Sequence, residues 1–243
     1  MKKTRRSERS ARSEYRARDE HLDEKVHIEE HRNTVTVTAK NYGQKELIKS
    51  IIKNKITICE GPAGVGKTAV SIGMGLQDLL SNKVEKIIIM RPIIEACGEE
   101  LGFLPGDVAD KMSVWLMPIQ DNLAVFVDQS KIDYLLRQKK IEALPLAYAR
   151  GRSLNHSFVI LEEAQNCSPK QLLMALTRLG EDSKMVISGD ITQNDKNERG
   201  MTGLQDCIER LEEMQDVGIV RMKEVDIVRN PMIREIIARY RNV

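Results

Sequence analysis

From Thr34 onward the chain alternates short, unbroken apolar runs with longer stretches of helical spacing. The runs are residues 56–59, 86–90, 158–161 and 185–188, each bounded by polar positions. A strand covered on one face alternates apolar and polar residues. A strand covered on both faces reads as continuously apolar, which is the pattern of a parallel sheet between two helical layers. Residues 68–80, 169–179, 202–214 and 232–240 carry the helical spacing, and in the third of these Leu204, Ile208, Leu211 and Met214 fall on one face. The stretch 107–140 is also helical in pattern and lies between strands, so it is predicted to be an insertion on the sheet. No internal repeat is present. The expected fold is α/β, a mostly parallel sheet with helices on both faces.

Residues 1–32 break this pattern. They hold almost no large aliphatics, are basic as far as Arg18 and turn acidic from Asp19 to Glu30. Such a segment cannot offset its ordering entropy by burial, so 1–32 is expected to be a disordered tail and 33–243 a single domain. The tail is either an arm that touches phosphates or a solubilising extension. Aromatic residues are only 4% of the chain, which argues against a base-stacking surface built mainly from rings. A formal net charge of +2 does not mark a nucleic-acid binder, so any basic footprint must lie in the distribution of charge. Cys59, Cys97, Cys167 and Cys207 form no C-x-x-C pair and fit neither a zinc site nor a disulfide framework, so reduced thiols in a cytosolic protein are expected. No apolar run approaches the ~20 residues that cross a bilayer, and no apolar segment follows the opening Met-Lys-Lys-Thr-Arg-Arg. Neither a membrane partner nor a secretory signal is expected, and the expected location is the cytoplasm.

The chemistry begins after the first apolar run. Gly61-Pro62-Ala63-Gly64-Val65-Gly66-Lys67-Thr68 is a complete G-x-x-x-x-G-K-[ST] loop that follows a strand and opens a helix. Glycines let the backbone wrap closely enough for successive N–H groups to point at phosphate oxygens, and the helix adds its positive N-terminal end through Thr68 and Ala69. Lys67 is placed to reach the β- and γ-phosphates and the Thr68 hydroxyl to ligate Mg²⁺, which predicts ATP and Mg²⁺ as the cofactors.

A phosphate cradle needs an acidic element to hold the metal and orient water. Residues 158–161 end in Glu162 and Glu163. Successive strand residues face opposite sides, so the pair divides the work. Glu162 is predicted to face the Mg²⁺ shell and Glu163 to accept a proton from the attacking water. The next strand end carries Ser188-Gly189-Asp190-Ile191-Thr192-Gln193, where Gln193 can help position water. Phosphoryl transfer also uses a cation on the developing charge, for which Arg178 and Arg229 are the candidates; the alternative for each is a surface ion pair.

Read together, residues 61–68, 91–96, 101–107, 145–152, 160–166, 176–178, 189–193 and 226–231 closely resemble the PhoH family of P-loop ATPases, which are related to the ATPase core of superfamily 1 helicases. The resemblance runs from about Asn41 to Tyr240. It implies a RecA-like P-loop fold, ATP hydrolysis, an RNA-associated role and ring-like oligomers. A superfamily 1 helicase closes two RecA-like domains over one nucleotide, whereas this chain has length for one, so a neighbouring subunit is expected to supply the second wall in a head-to-tail ring, with a hexamer favoured. The resemblance also suggests that Gln44 reads the adenine edge, the alternative being a helix-capping or surface glutamine. Arg91 and the turn 150–152 occupy family motif positions whose partners stay open. One residue departs from the pattern: the family usually has Asp where this chain has Glu162.

The expected function is therefore an oligomeric, Mg²⁺-dependent ATPase acting on single-stranded RNA or DNA, as a helicase or remodelling motor. The alternative is a slow-turnover nucleotide switch for RNA binding or assembly, which Glu162 favours. A small-molecule kinase is the third reading, disfavoured by a carboxylate pair that provides for an activated water.

Overall fold

The computed structural model describes residues 35–92, 108–193, 202–228, 232 and 239. Helix α1 (Tyr42–Lys53) precedes β1 (Ile56–Glu60), α2 (Lys67–Leu80) and β2 (Lys86–Arg91). Helices α3 (Val108–Leu123) and α4 (Gln129–Arg137) stand between β2 and β3 (Ile141–Pro145). A short 3₁₀ turn (Leu146–Ala149) leads towards β4 (Ser157–Leu161), followed by a second (Ala164–Asn166) and by α5 (Pro169–Leu176). Strand β5 (Lys184–Gly189), α6 (Gly203–Leu211), β6 (Val217–Arg221) and a last 3₁₀ turn (Glu224–Asp226) complete the order.

All six strands are parallel, in the order β3-β2-β4-β5-β1-β6. The alternation along each strand sorts the core into two layers. Ile87, Ile89, Phe158, Ile160 and Val186 pack with α1, α2, α3 and α4 on one face. Ile58, Ile88, Val159, Leu161 and Ile187 pack with α5 and α6 on the other. This is the parallel α/β sheet that the continuous apolar runs predict, in the RecA-like P-loop form that the family resemblance implies. The central strands are buried along their middles and β4 along its whole length, so truncating a side chain such as Phe158, which is 0% exposed, should cost about 3–5 kcal/mol.

The four predicted runs are β1, β2, β4 and β5, the four inner strands. The two strands that the pattern missed, β3 and β6, are the edges. An edge strand pairs on one side only and tolerates Pro145, Glu142 and Gly218, which break an apolar run. Helix α1 was missed as well, because a single apolar stripe of Leu47 and Ile51 suffices to seat it. Helices α5 and α6 end earlier than their spacing suggested, at Leu176 and Leu211, and each starts on a capping box, Ser168 with Gln171 and Thr202 with Gln205. The stretch 107–140 holds the two helices α3 and α4, which pack on the α2 face. The expected tail 1–32 lies outside the described residues, as does most of the helix expected at 232–240. No helix among the described residues is long and apolar enough to cross a membrane.

Candidate functional site

Parallel pairing fixes what meets at the sheet's C-terminal edge. In register, Glu60 lies beside Gly189, Met90 beside Leu161 and Arg91 beside Pro145. The P-loop after β1, the carboxylates after β4, the Gly-Asp turn after β5 and Arg91 at the end of β2 therefore leave the sheet together. Alternation then assigns faces: Leu161 and Met90 face α5 and α6, so Glu162 and Arg91 turn towards α2.

The loop has the shape a phosphate requires. Gly64 and Gly66 sit at φ 85° and 91°, a left-handed conformation that other residues adopt at a cost. Gly66 has a second reason: a Cβ there would lie 2.6 Å from Gln44 Nε2. As the N-cap of α2 it offers no side chain, and the first turn holds no acidic residue, so the helix's leading N–H groups and its dipole stand open to an anion. Lys67 Nζ donates to the Gly61 and Pro62 carbonyls at 2.6 and 3.0 Å. Burial lowers its pKa, against the pull of Cys59, Asp190, Glu163 and Glu162. Thr68 and Ala69 line the cleft beside it.

Behind the loop stands a brace. Gln44, 4% exposed, donates from Nε2 to Val65 O at 2.9 Å and accepts from Lys40 N at 2.8 Å. It is therefore not a surface glutamine, and its side chain caps nothing; in the first turn of α1 the cap is Asn41, which accepts from Gln44 N. Val228 N donates to Gly64 O at 3.1 Å, and Asp226 accepts from Gly43 N and Lys223 N. The loop between β1 and α2 is thus held by α1 and by the chain after β6.

Opposite the loop, Glu162 is 2% exposed. Its Oε2 accepts from Arg91 Nε at 2.7 Å and lies 2.6 Å from Arg91 Nη2 in an ion pair, while its Oε1 is buried with no partner. Glu163 takes a left-handed conformation at φ 55°, where a non-glycine residue is strained, and this brings its side chain out to the cleft. Gln165 fixes it there, donating from Nε2 to Glu163 Oε2 at 2.7 Å while its Oε1 accepts from Asp190 N at 3.1 Å. Asp190 accepts from Thr192 N and Oγ1 through Oδ1, and its Oδ2 is buried without a partner. Gln193 is exposed on the same rim.

These groups enclose a cleft of about 410 Å³, with Pro118 and Asn122 of α3 as a further wall, a size suited to a small ligand. A groove between α1 and β6 is larger, at about 750 Å³. Size does not choose between them; unsatisfied chemistry does. Among the described residues three buried side-chain atoms lack a hydrogen-bond partner, and two of them, Glu162 Oε1 and Asp190 Oδ2, belong to this cleft.

Magnesium is commonly held by one or two carboxylates, a hydroxyl and substrate phosphates, not by an all-protein cage. The Thr68 hydroxyl and the unpartnered Glu162 oxygen fit that donor set, and no cluster of three or more metal-ligating side chains exists among the described residues.

One predicted residue is not brought here. Arg178 lies at the opposite edge of the sheet, where its carbonyl accepts from Leu154 N and its Nη1 donates to Arg152 O at 3.3 Å. It cannot act on this chain's own cleft, because a five-residue strand separates the two edges by roughly 16 Å. Arg229 falls outside the described residues. Three contributors went unassigned from sequence: Arg91 as the partner of Glu162, Gln165 as the brace of Glu163, and α3 as a wall. The first was findable, since Arg91 closes an apolar run as Glu162 does, but sequence order does not reveal that β2 and β4 are neighbours.

Residues 36–241 match the family model described as PhoH-like protein. The chain is 45% identical over 204 residues to a PhoH-like protein of Synechocystis sp., covering 84% of this chain and 62% of that protein. It is 40% identical over 209 residues to a PhoH-like protein of Mycobacterium tuberculosis, covering 86% and 59%, and 39% identical over 213 residues to Protein PhoH of Escherichia coli (strain K12), covering 87% and 60%. It spans about three fifths of the length of these curated relatives. A match of that extent, on a sheet edge shaped to hold a phosphate chain, places this chain in the PhoH family of P-loop nucleotide-binding proteins.

Proposed function

We propose that the chain binds ATP with Mg²⁺ and hydrolyses it to act on single-stranded RNA or DNA. One observation carries the ATP reading: the uncapped α2 N-terminus and the Lys67 ammonium face two buried carboxylate oxygens that have no partner. A phosphate chain exchanges the loop carbonyls for its own oxygens at Lys67, and the backbone of 61–68 wraps it. Thr68 and Glu162 hold the metal, which when bound neutralises charge on the phosphates. Glu163, exposed and fixed by Gln165, takes the proton of the attacking water, with Gln193 on the same rim to orient it. Gln44 supports the loop with both ends of its amide engaged, so we assign it loop geometry ahead of adenine reading.

The nucleic-acid partner is supported by the family's kinship with superfamily 1 helicases. The ring is supported by placement: Arg178, remote from its own cleft, is free of a role there and is left for a head-to-tail neighbour. A second reading, a slow nucleotide switch, is favoured by the ion pair that occupies Glu162. Steady-state phosphate release with and without single-stranded RNA or DNA separates the two, with Lys67→Ala as the blank. Turnover that rises several-fold with nucleic acid supports the motor. Tight ATP binding with slow, indifferent turnover supports the switch.

A further inference from the structure

Two of the arginine–glutamate pairs among the described residues differ in geometry. Arg152 meets Glu142 fork to fork, Nη1 to Oε1 at 2.6 Å and Nη2 to Oε2 at 3.1 Å, so that both carboxylate oxygens are used. That pair is half-exposed and holds the turn after β3. Arg91 instead meets the single oxygen Oε2 of Glu162 with both nitrogens, Nε as a hydrogen-bond donor and Nη2 as an ion-pair contact. The other oxygen is left bare although the side chain is 2% exposed. A buried carboxylate oxygen without a donor is costly, and such an arrangement makes sense where a cation or its water completes it. The bare oxygen belongs to a residue that lines the phosphate cleft beside Thr68.

The same geometry accounts for the longer side chain. Glutamate has one more rotatable bond than the aspartate usual in the family, so an untethered Glu162 would sample several positions for its carboxylate. Adjacent strand ends prevent this: Arg91 leaves β2 on the α2 side, next to Glu162 leaving β4 on the same side. We propose that Arg91 is the positioning residue for the metal carboxylate. It fixes Glu162 through Oε2 and so holds Oε1 towards the metal that accompanies the nucleotide. A lysine cannot substitute, because a single ammonium on a flexible stem does not lock the carboxylate plane. The inference rests on the ATP–Mg²⁺ reading above.

The test is a Mg²⁺ titration at fixed concentration of a fluorescent ATP analogue, read as bound fluorescence with no turnover required. Affinity in EDTA is measured alongside, and a thermal melt checks that each variant is folded. Arg91→Ala should raise the half-saturating Mg²⁺ by about ten- to a hundred-fold, the usual effect of removing a group that orients a metal ligand, while metal-free nucleotide affinity stays within about twofold. Arg91→Lys, which keeps a charge beside Glu162 and guards against a folding failure, should show most of that rise. In a Glu162→Gln background, Arg91→Ala should add little further, since Arg91 acts only through Glu162. An unchanged Mg²⁺ midpoint in Arg91→Ala overturns the proposal. So does a lowered midpoint, which would mean that the guanidinium competes with the metal for Glu162. Equal rises with Glu162 and with Gln at that position overturn it too. If the wild-type chain binds no nucleotide at any Mg²⁺ concentration, it is the ATP reading that falls.

Discussion

The two edges of the sheet are built to opposite rules. At the N-terminal edge, polar groups are tied off: Ser183 Oγ accepts from Ser157 N and donates to Leu154 O, and Lys184 Nζ reaches the Ile51 and Ile52 carbonyls. At the C-terminal edge the chain holds groups it does not satisfy. Helix α2 has no side-chain cap, Lys67 folds onto its own loop, and one oxygen each of Glu162 and Asp190 is bare. The fold's stability comes from the shared apolar layers, while its unspent polar capacity is concentrated on one edge. The exception is Arg178, whose buried Nε lacks a partner at the quiet edge.

The contrast predicts a clean split between loss of function and loss of stability, and substitutions at the C-terminal edge should have the largest effects. Lys67→Ala should reduce phosphate release to background and weaken ATP binding while leaving the melting temperature nearly unchanged. Normal hydrolysis by this variant would remove the phosphate assignment. Glu163→Gln should keep ATP binding and lose about 10²–10⁴-fold in single-turnover rate, as expected for a general base. If Glu163→Gln loses binding but keeps turnover, the metal and base roles of the two glutamates are reversed.

The same contrast explains what the sequence could and could not reveal. Residues 61–68 declare themselves because the loop's shape is written in its own backbone: glycines for left-handed turns, followed by the lysine and threonine of the P-loop pattern. The four inner strands are legible because double burial leaves an unbroken apolar run. The edge strands β3 and β6 are not, since one-sided pairing admits Pro, Glu and Gly. Relations across the sheet are the least legible. That Arg91 meets Glu162, that Gln165 joins Glu163 to Asp190, and that Arg178 is carried to the far edge all depend on the strand order, which no local pattern encodes.

A smaller effect should distinguish bracing from tying off. Gln44→Ala removes partners from Val65 O and Lys40 N behind the loop, and Ser183→Ala removes partners from Ser157 N and Leu154 O at the other edge. Each should cost about 1–3 kcal/mol in denaturant unfolding, because each takes the side-chain partner from one buried backbone group, Val65 O or Ser157 N. Only Gln44→Ala should also weaken nucleotide binding, by several-fold, when measured on the folded fraction. If Ser183→Ala weakens binding as much, the two edges are coupled and the contrast fails.

The smallest expected effect is on pH dependence, and it isolates Lys67. Burial lowers the pKa of this cation from the ordinary value of about 10.4, while Cys59, Asp190, Glu163 and Glu162 favour its charged form. Below the lowered pKa both folded and unfolded chains carry the proton, and burial of the charge opposes folding. Between the lowered and the ordinary value the unfolded chain binds more protons, so this group's contribution to stability rises with pH. Nucleotide binding has the opposite sign, because phosphate contact needs the ammonium. Wild-type affinity for ATP should therefore start to fall at a pH below the titration range of a free lysine, while the melting temperature of the nucleotide-free protein gains slightly over the same range. Other groups titrate there too, so the quantity to follow is wild type minus Lys67→Met. A flat difference in both affinity and melting temperature would mean that Lys67 is hydrated and ordinary, and that the closed loop geometry, with Nζ on the Gly61 and Pro62 carbonyls, is not its resting state.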